Sequence, residues 1–398
     1  MAETSDTSAA PAAPAPSKLR MRWYTRQCIP TLENYLREVL AGRTDVDVNL
    51  SDSVEEQATT EAGIGDPTVS ATTVQSASAL QQCHDGHDVV FLDARAEPCI
   101  GADPEAFESQ WAAERARQRA ITTTAALMDA LHVYGATKVG LFSAFGDDLT
   151  TQICQALAEQ GVNALPVNLP HDSVGSATQV STVIGSLLQQ EPELHACVVL
   201  GAEPLLPVDI EQLECVHGLP VLDSATALLW QALRLGGGTG NPGAGTLLRD
   251  GMVRAQMQRI CEDLLVSTGG DRTTLRIDID KHGLHIDTPA AEAANSGVRH
   301  IRHEKSLHMR QLDTVAWLEA ERSNLLQPDF GRPPFPPKAL IEVYGVQAQM
   351  LGPVILDGHL TGFLSVHSLS QRAWTARDEA ALNGARTAVE SLLGRLGD

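Results

Sequence analysis

The sequence predicts an α/β protein of two similar parallel-sheet lobes, followed by a smaller α+β domain. Three features point to it. Between Met21 and Leu235, apolar runs of strand length alternate with helical stretches, the order that builds parallel sheets through βαβ crossovers. Two of those runs, DVVFLD at 88–93 and ACVVL at 196–200, hold equivalent places in successive halves. Beyond the glycine-rich stretch 236–245 the order changes to hairpins between terminal helices.

The elements follow in order. MRWYTRQCI reads as a strand, and Thr31 then caps a helix through Leu32, Tyr35, Leu36 and Val39 that stops at Gly42. DVDVNL alternates as a half-buried strand does. The polar stretch 51–70 reads as a loop and 71–83 as a helix. DVVFLD ends in the loop ARAEPCIGADPE, and two helices follow, the second spanning Ala125 to Tyr134. TKVGLFS at 137–143 is a strand, Asp147 or Asp148 opens a helix to Gln160, and NALPVNL at 163–169 is the next strand. A helix over 176–189 leads to the strand ACVVL and a short loop to Pro207. Next come a helix carrying Ile210, Leu213 and Glu214, a strand from Pro220 to Leu222, and a helix from Asp223 or Ser224.

GGGTGNPGAG at 236–245 follows a helix, so it reads as a linker; a phosphate-cradling loop needs strand–loop–helix order. A helix from Met252 to Ser267 opens the last domain. TTLRIDID and GLHID are read as a hairpin around Lys281-His282-Gly283, and Leu312 to Leu325 as a helix before the loop QPDFGRPPFPP. AQMLGPVIL and LTGFLSVHS form a hairpin through Asp357-Gly358. Thr375 caps a final helix from Ala376 to Leu396, with Asp378 and Glu379 in its first turn. The expected layout is a disordered tail at 1–19, the two-lobe domain at 20–235, the linker at 236–249 and the last domain at 250–398.

With 398 residues the chain can bury a large core in two or three domains. A net charge of −21 argues against nucleic acid or an anionic membrane as partner, because phosphate binding needs a basic face. Seven scattered cysteines fit no zinc or disulfide framework, which points to a reducing, cytoplasmic location. No apolar run reaches the roughly 20 residues of a membrane span, and MAETSDTSAAPAAPAPSK lacks the apolar core of a signal peptide.

Two stretches, AITTTAALMDALHVYGATKVGLFSAFGDDLTTQICQALAEQG and LECVHGLPVLDSATALLWQALRLGG, give residues 20–235 a family likeness. They resemble the aspartate/glutamate racemase superfamily, in its maleate isomerase and arylmalonate decarboxylase branch. Residues 250–396 resemble a GAF domain, chiefly through ALIEVYGVQAQMLGPVILDGHLTGFLSVHSLSQRAWTARDEAAL. The first resemblance implies a cysteine thiolate at a strand end of one or both lobes, a nucleophile near neutral pH. At those family positions this chain carries Ala94 and Ala202. The family's Pro-Tyr appears as Ala144-Phe145, its Ser-Asn as Ser224-Ala225, and its Pro-Ser-Asn loop as Pro30-Thr31-Leu32. Each lost charge-assisted contact would cost roughly 1.5–3 kcal/mol of dianion binding.

The resemblance places a ligand cleft among Thr31, Ala94, Arg95, Phe145, Ala202, Glu203 and Ser224. Asp93, Arg95 and Glu203 remain as candidates for acid/base work or for holding a carboxylate. The alternative is an Asp–Arg pair bracing the loop and an N-cap at Asp223. Cys99 and Cys197 read as small hydrophobes. His300, His303 and His308 read as part of a solvated basic helix face, since Arg299, Arg302 and Lys305 would repel a metal ion. Cys261 lies on the first helix of the GAF-like part and no cysteine follows it, so no bilin thioether, cofactor or metal is expected. His359 and His367 read as surface residues, and Trp317, Tyr344 and Trp374 as packing aromatics.

The function expected is a racemase-like scaffold emptied of its thiols: a small-carboxylate-binding or regulatory protein with a GAF sensor or dimerisation module. One alternative is an isomerase, decarboxylase or lyase using non-cysteine residues on a small organic acid. Another is a non-catalytic subunit of an active paralogue. The expected partners are a small organic acid or other small molecule, a second copy of the chain in a homo-oligomer, and such a paralogue.

Overall fold

The computed structural model describes residues 19–25, 29–41, 46–52, 89–92, 120–169, 176–200, 204–235, 245–304 and 307–397. The chain divides into two compact units, Met1–Thr122 and Thr123–Asp398.

The first unit carries β1 (Leu19–Thr25), α1 (Ile29–Val39), β2 (Val46–Asp52), β3 (Val89–Leu92) and β4 (Ala120–Thr122). They form a parallel sheet in the order β2-β1-β3-β4. Helix α1 buries Leu32, Tyr35, Leu36 and Val39, the stripe its spacing predicts. Arg37 and Glu33 pair at 2.7 Å on its exposed side. The helix starts at Ile29 and ends at Val39, so Thr31 lies in its first turn and is not its cap, and Gly42 lies past its end. Strand β4 was not expected from sequence. The tail, the helix expected at 71–83, and the loop with Asp93, Ala94, Arg95 and Cys99 lie outside the described residues.

The second unit begins with nine elements: α2 (Thr123–Tyr134), β5 (Lys138–Ser143), α3 (Asp147–Glu159), β6 (Asn163–Asn168), α4 (Ala177–Gln190), β7 (Ala196–Leu200), α5 (Pro207–His217), β8 (Val221–Asp223) and α6 (Ser224–Leu235). Their parallel sheet runs β6-β5-β7-β8. This is the order of the first sheet repeated, with β3 and β7, the DVVFL and ACVVL strands, in matching places. Crossover helices cover both faces of such a sheet, so β7 is buried at every position. The edge strand β6 has only exposed and half-buried positions.

The unit continues with α7 (Gly245–Thr268), β9 (Arg272–Ile277), β10 (Pro289–Ala294), α8 (Asp313–Glu321), β11 (Leu325–Gln327), α9 (Lys338–Glu342), β12 (Ala348–Leu356), β13 (His359–Ser368) and α10 (Ala376–Gly397). The strands form an antiparallel sheet, β10-β9-β13-β12-β11. Leu275 and Ile277 of β9 join Met350, Val354, Leu364 and Val366 in a core with Met257, Cys261 and Leu264 of α7 and Leu382 and Val389 of α10. Because strand side chains alternate, Arg272, Thr274 and Arg276 take the opposite face.

The expected hairpin through Asp357-Gly358 is present, both residues at positive φ (49° and 77°), as a two-residue hairpin turn requires. Three expectations fail. Helix α7 starts at Gly245, not Met252, so residues 245–249, read as linker, are its first turns. GLHID is not the partner of β9: beyond a lone bridge between Ile279 and Leu284, the pairing goes to PAAEAA, strand β10. Asp278 accepts the Ile286 N–H at 2.7 Å and a 3-10 turn fills 280–282, which ends the ladder there. Helix α8 covers only Asp313–Glu321, stopped by Arg322 at φ 52°, and Leu325–Gln327 is a strand.

Candidate functional site

Ligands of parallel α/β sheets sit at the carboxyl ends of the strands. In the second lobe these ends are Ser143, Leu200 and Asp223. Ser143 Oγ lies 2.9 Å from Thr150 Oγ1 and accepts the Phe145 N–H at 3.1 Å. Asp223 caps α6 by accepting the Thr226 N–H at 2.7 Å, and its other oxygen accepts the Leu205 N–H at 2.9 Å. The carboxylate thus braces the loop after β7, as its N-cap position suggests. Phe145 and Ser224 are half-buried at this edge. Ala202 and Glu203, like Asp93, Ala94 and Arg95, lie outside the described residues, as does the side chain of Thr31. Cys197 is sealed in the apolar core, where burial pushes its thiol up to about 12, so it holds no thiolate near neutral pH.

A second site lies on the antiparallel sheet, on the face away from α7 and α10. A cavity of about 50 Å³ is lined by Thr274 and Arg276 of β9, Gln349 and Leu351 of β12, and Phe363, Ser365 and His367 of β13. Its other walls include Ile301, Glu304, Leu307, Thr314, Leu340 and Tyr344. A water needs roughly 10–15 Å³, so the cavity, which is partly open to solvent, has room for water or a small molecule.

The register sets the polar groups in rows. Thr274 stands opposite Ser365 with hydroxyls 2.5 Å apart, Arg276 opposite Phe363, and Arg272 opposite His367. Arg276 is 3% exposed and Nη1 donates to Ile286 O (3.2 Å) and Asp287 O (2.5 Å). Burial pulls its guanidinium down to about 10, against the opposing charge of Glu292 and Asp287. Arg272, fully buried, donates Nε to His367 Nδ1 at 3.2 Å and Nη1 to Arg299 O at 2.5 Å; its Nη2 has no hydrogen-bond partner. The Glu292 carboxylate stands 3.9 Å from Arg272 and accepts the Ile301 N–H at 3.0 Å. The Arg272 and Arg299 guanidiniums lie over the Tyr344 ring, whose hydroxyl donates to Glu304 at 2.9 Å.

His367, read from sequence as a surface residue, is 4% exposed. Burial, then Arg272 and Arg276, hold its pKa well below the ordinary range, so the ring is neutral. Since Arg272 donates to Nδ1, the ring proton sits on Nε2.

RHIRHEKSLHM is likewise not a solvated helix. Its described residues are irregular, and Arg302 is 6% exposed. Nη1 donates to Gln258 Oε1 and Nη2 to Ala290 O, each at 2.8 Å, and Nη2 also bonds Val133 O at the C-terminus of α2. A cation there answers the helix dipole. His303 Nε2 bonds Gly135 O at 2.8 Å, and its ring stacks on His195 with centroids 3.5 Å apart. Consecutive residues therefore face two ways: Ile301 and Glu304 line the cavity, while Arg302 and His303 hold the α2–β5 turn. Trp374 behaves as expected, half-buried with its N–H on Gln327 O at 3.0 Å.

Sequence reasoning missed Arg276, Thr274, Ser365, Gln349 and His367. The available signal was alternation: in DRTTLRID every second residue is polar on a strand whose other face is core.

The family model for the GAF domain matches residues 253–390. Residues 253–390 are a GAF domain. Every residue lining the cavity belongs to it. No curated protein matches the chain. Among solved structures the chain is similar to arylmalonate decarboxylase (21% identity, TM-score 0.43), over 57% of this chain and 98% of that one. It is similar to the maleate isomerase Iso from Pseudomonas putida S16 (16%, TM-score 0.44), over 58% and 98%. It is also similar to the GAF domain of the cyanobacteriochrome TePixJ (16%, TM-score 0.31), over 35% and 88%. No described helix is long and apolar enough to cross a membrane.

Proposed function

We propose that this chain is a small-molecule-responsive protein whose GAF cavity is the sensing site and whose racemase-like part, 20–235, is a scaffold without thiol chemistry. The observation that carries it is the cavity, whose lining includes a buried guanidinium, Arg276, and a neutral imidazole, His367. Burying such groups is costly unless they are satisfied, and a ligand supplies what the protein does not. A sensor also needs an output. Ile301 and Glu304 touch the ligand space while Arg302 and His303 grip Val133 and Gly135, so tightening the cavity wall tightens the α2–β5 turn of the second lobe.

Ala94 and Ala202, at the family's cysteine positions, support the non-catalytic half of the proposal. A remaining role for Thr31, Arg95, Phe145, Glu203 and Ser224 is to hold a small organic acid without transforming it. The protein is then a cytoplasmic homo-oligomer, alone or with an active paralogue. Purified full-length protein is expected to leave maleate, arylmalonates and acidic amino acids unchanged. Turnover that disappears in Glu203→Ala or Arg95→Ala, with the fold intact by circular dichroism, would replace this proposal with an enzyme that recruited new groups.

A further inference from the structure

We propose that the stacked pair His195 and His303 is a proton-operated latch between the GAF domain and the second lobe, closed while His195 is neutral and released by acid. The inference rests on the α2–β5 turn being the sensor's output and adds a second input to that turn, one that needs no ligand.

Both rings grip the same turn. His303 Nε2 donates to Gly135 O at 2.8 Å, since a carbonyl only accepts. Two residues on, the Thr137 N–H donates to His195 Nδ1 at 3.1 Å, and the backbone N–H of His195 bonds Lys138 O at 2.8 Å. A backbone N–H can only donate, so His195 Nδ1 is a bare lone pair and the ring proton sits on Nε2. A second proton has to enter at Nδ1, against the Thr137 N–H. The Thr137 hydroxyl, 3.3 Å away, can turn to accept it, but the N–H cannot turn. Protonation therefore costs the latch its backbone bond. It also charges one face of a stack whose rings lie 3.5 Å apart and 9° from parallel, and a proton on each ring sets two cations face to face. His303 stands between Arg302, which holds Val133 O, and Glu304, a wall of the cavity. A ring displaced at 303 thus disturbs the grip on α2 and the cavity wall together.

The other charged groups on the elements that meet here do not give this response. Arg302 is held by Gln258 and by the carbonyls of Val133 and Ala290, and Glu304 accepts the Tyr344 hydroxyl. Lys138 pairs with Glu191 at 2.7 Å, and Glu193, two residues before His195, is exposed. His300 has Glu292 at 3.7 Å, which raises its pKa, and that pair lies wholly within the GAF domain. His132 of α2 and Glu262 of α7 do span the joint, at 2.7 Å. Acid strengthens that pair and so opposes release, but its side chains are 62% and 43% exposed, and solvent screens them.

The test measures hydrogen–deuterium exchange of the full-length protein without ligand at about pH 7.5 and about pH 5.5, on either side of the ordinary imidazole value near 6.5. Each rate is corrected for intrinsic exchange. Protection of 132–138 is expected to fall about fivefold or more on acidification, the worth of one lost hydrogen bond. His195→Asn keeps an acceptor at the Nδ1 position that takes up no proton, and is expected to hold its protection in acid. Unchanged protection in the wild type, or an equal fall in His195→Asn, would overturn the inference. Two-bond proton–nitrogen spectra of the wild-type protein answer without a variant. His195 is expected as the Nε2–H tautomer at the higher pH, charging at the midpoint where protection is lost; the Nδ1–H tautomer, or a different midpoint, contradicts the latch. No ligand enters these measurements, so their failure leaves the cavity as the sensing site, while a ligand that leaves the turn unmoved bears on the cavity and not on the latch.

Discussion

Glu214 shows how much one buried carboxylate organises here. It accepts the Val221 N–H at 3.0 Å and both the N–H and the hydroxyl of Thr246, at 2.8 and 2.7 Å. Those bonds tie α5, β8 and the start of α7. Burial still raises its pKa, outweighing the hydrogen bonds. Glu214→Ala leaves buried donors without acceptors, and urea denaturation should show a loss of about 3 kcal/mol. Asp378 behaves in the opposite sense. Burial raises its pKa, but the Thr375 N–H and hydroxyl, each at 2.8 Å, and Arg372 at 3.2 Å outweigh that and lower it. A folded pKa below the unfolded value gives stability that is full above the ordinary carboxylate range and lost as pH falls through the lowered value. Asp378→Asn is therefore expected to cost about 1 kcal/mol at neutral pH and to flatten the acid limb of a stability–pH curve. The caps Asp223 and Thr375, the latter with Asp378 in the first turn after it, were legible because a cap is a local pattern. Arg276, Arg302 and His367 were not, because sequence alone assigns charged and polar groups to solvent. Their hydrogen-bond partners are backbone carbonyls and distant side chains.

At the scale of elements, two glycines make close approaches that no other residue allows. Gly362 on β13 faces β9 so closely that a Cβ would lie 2.2 Å from Arg276 O and 2.8 Å from Ile277 Cα. Backbone cannot step aside, so Gly362→Ala should cost about 3 kcal/mol or more and lower the thermal midpoint accordingly. Gly135, at φ +62°, would set a Cβ 2.3 Å from Arg302 Cδ. Gly135→Ala is expected to cost about 1–3 kcal/mol through strain and displacement of Arg302, with the loss shrinking in an Arg302→Ala background. The β12–β13 hairpin was readable because Asp-Gly between alternating apolar runs fixes a turn. The pairing of β9 with β10 was not, because PAAEAA has weak strand propensity and gains its place from the sheet beside it. Helix α8 was overextended because its stop is an arginine in the left-handed region, where a glycine would have announced it.

Across the whole molecule, the repeated βα order made both parallel sheets legible apart from β4, down to the matching places of DVVFL and ACVVL. The joining of the second lobe with the GAF domain in one compact unit was not. That union depends on α7 starting at Gly245 and on Arg302 and His303 reaching residues more than a hundred positions away, which no local pattern reports. Residues 123–398 are accordingly expected to unfold in a single transition, and Arg302→Ala to split it into two by calorimetry. The central claim is that a ligand in the GAF cavity is felt at the α2–β5 turn. Hydrogen–deuterium exchange on the full-length protein, with and without acetate as a probe small enough for a cavity of about 50 Å³, tests it most directly. Slower exchange at 299–304 together with 132–138 is predicted. Slower exchange at 299–304 with 132–138 unchanged, or no change at either, would contradict it.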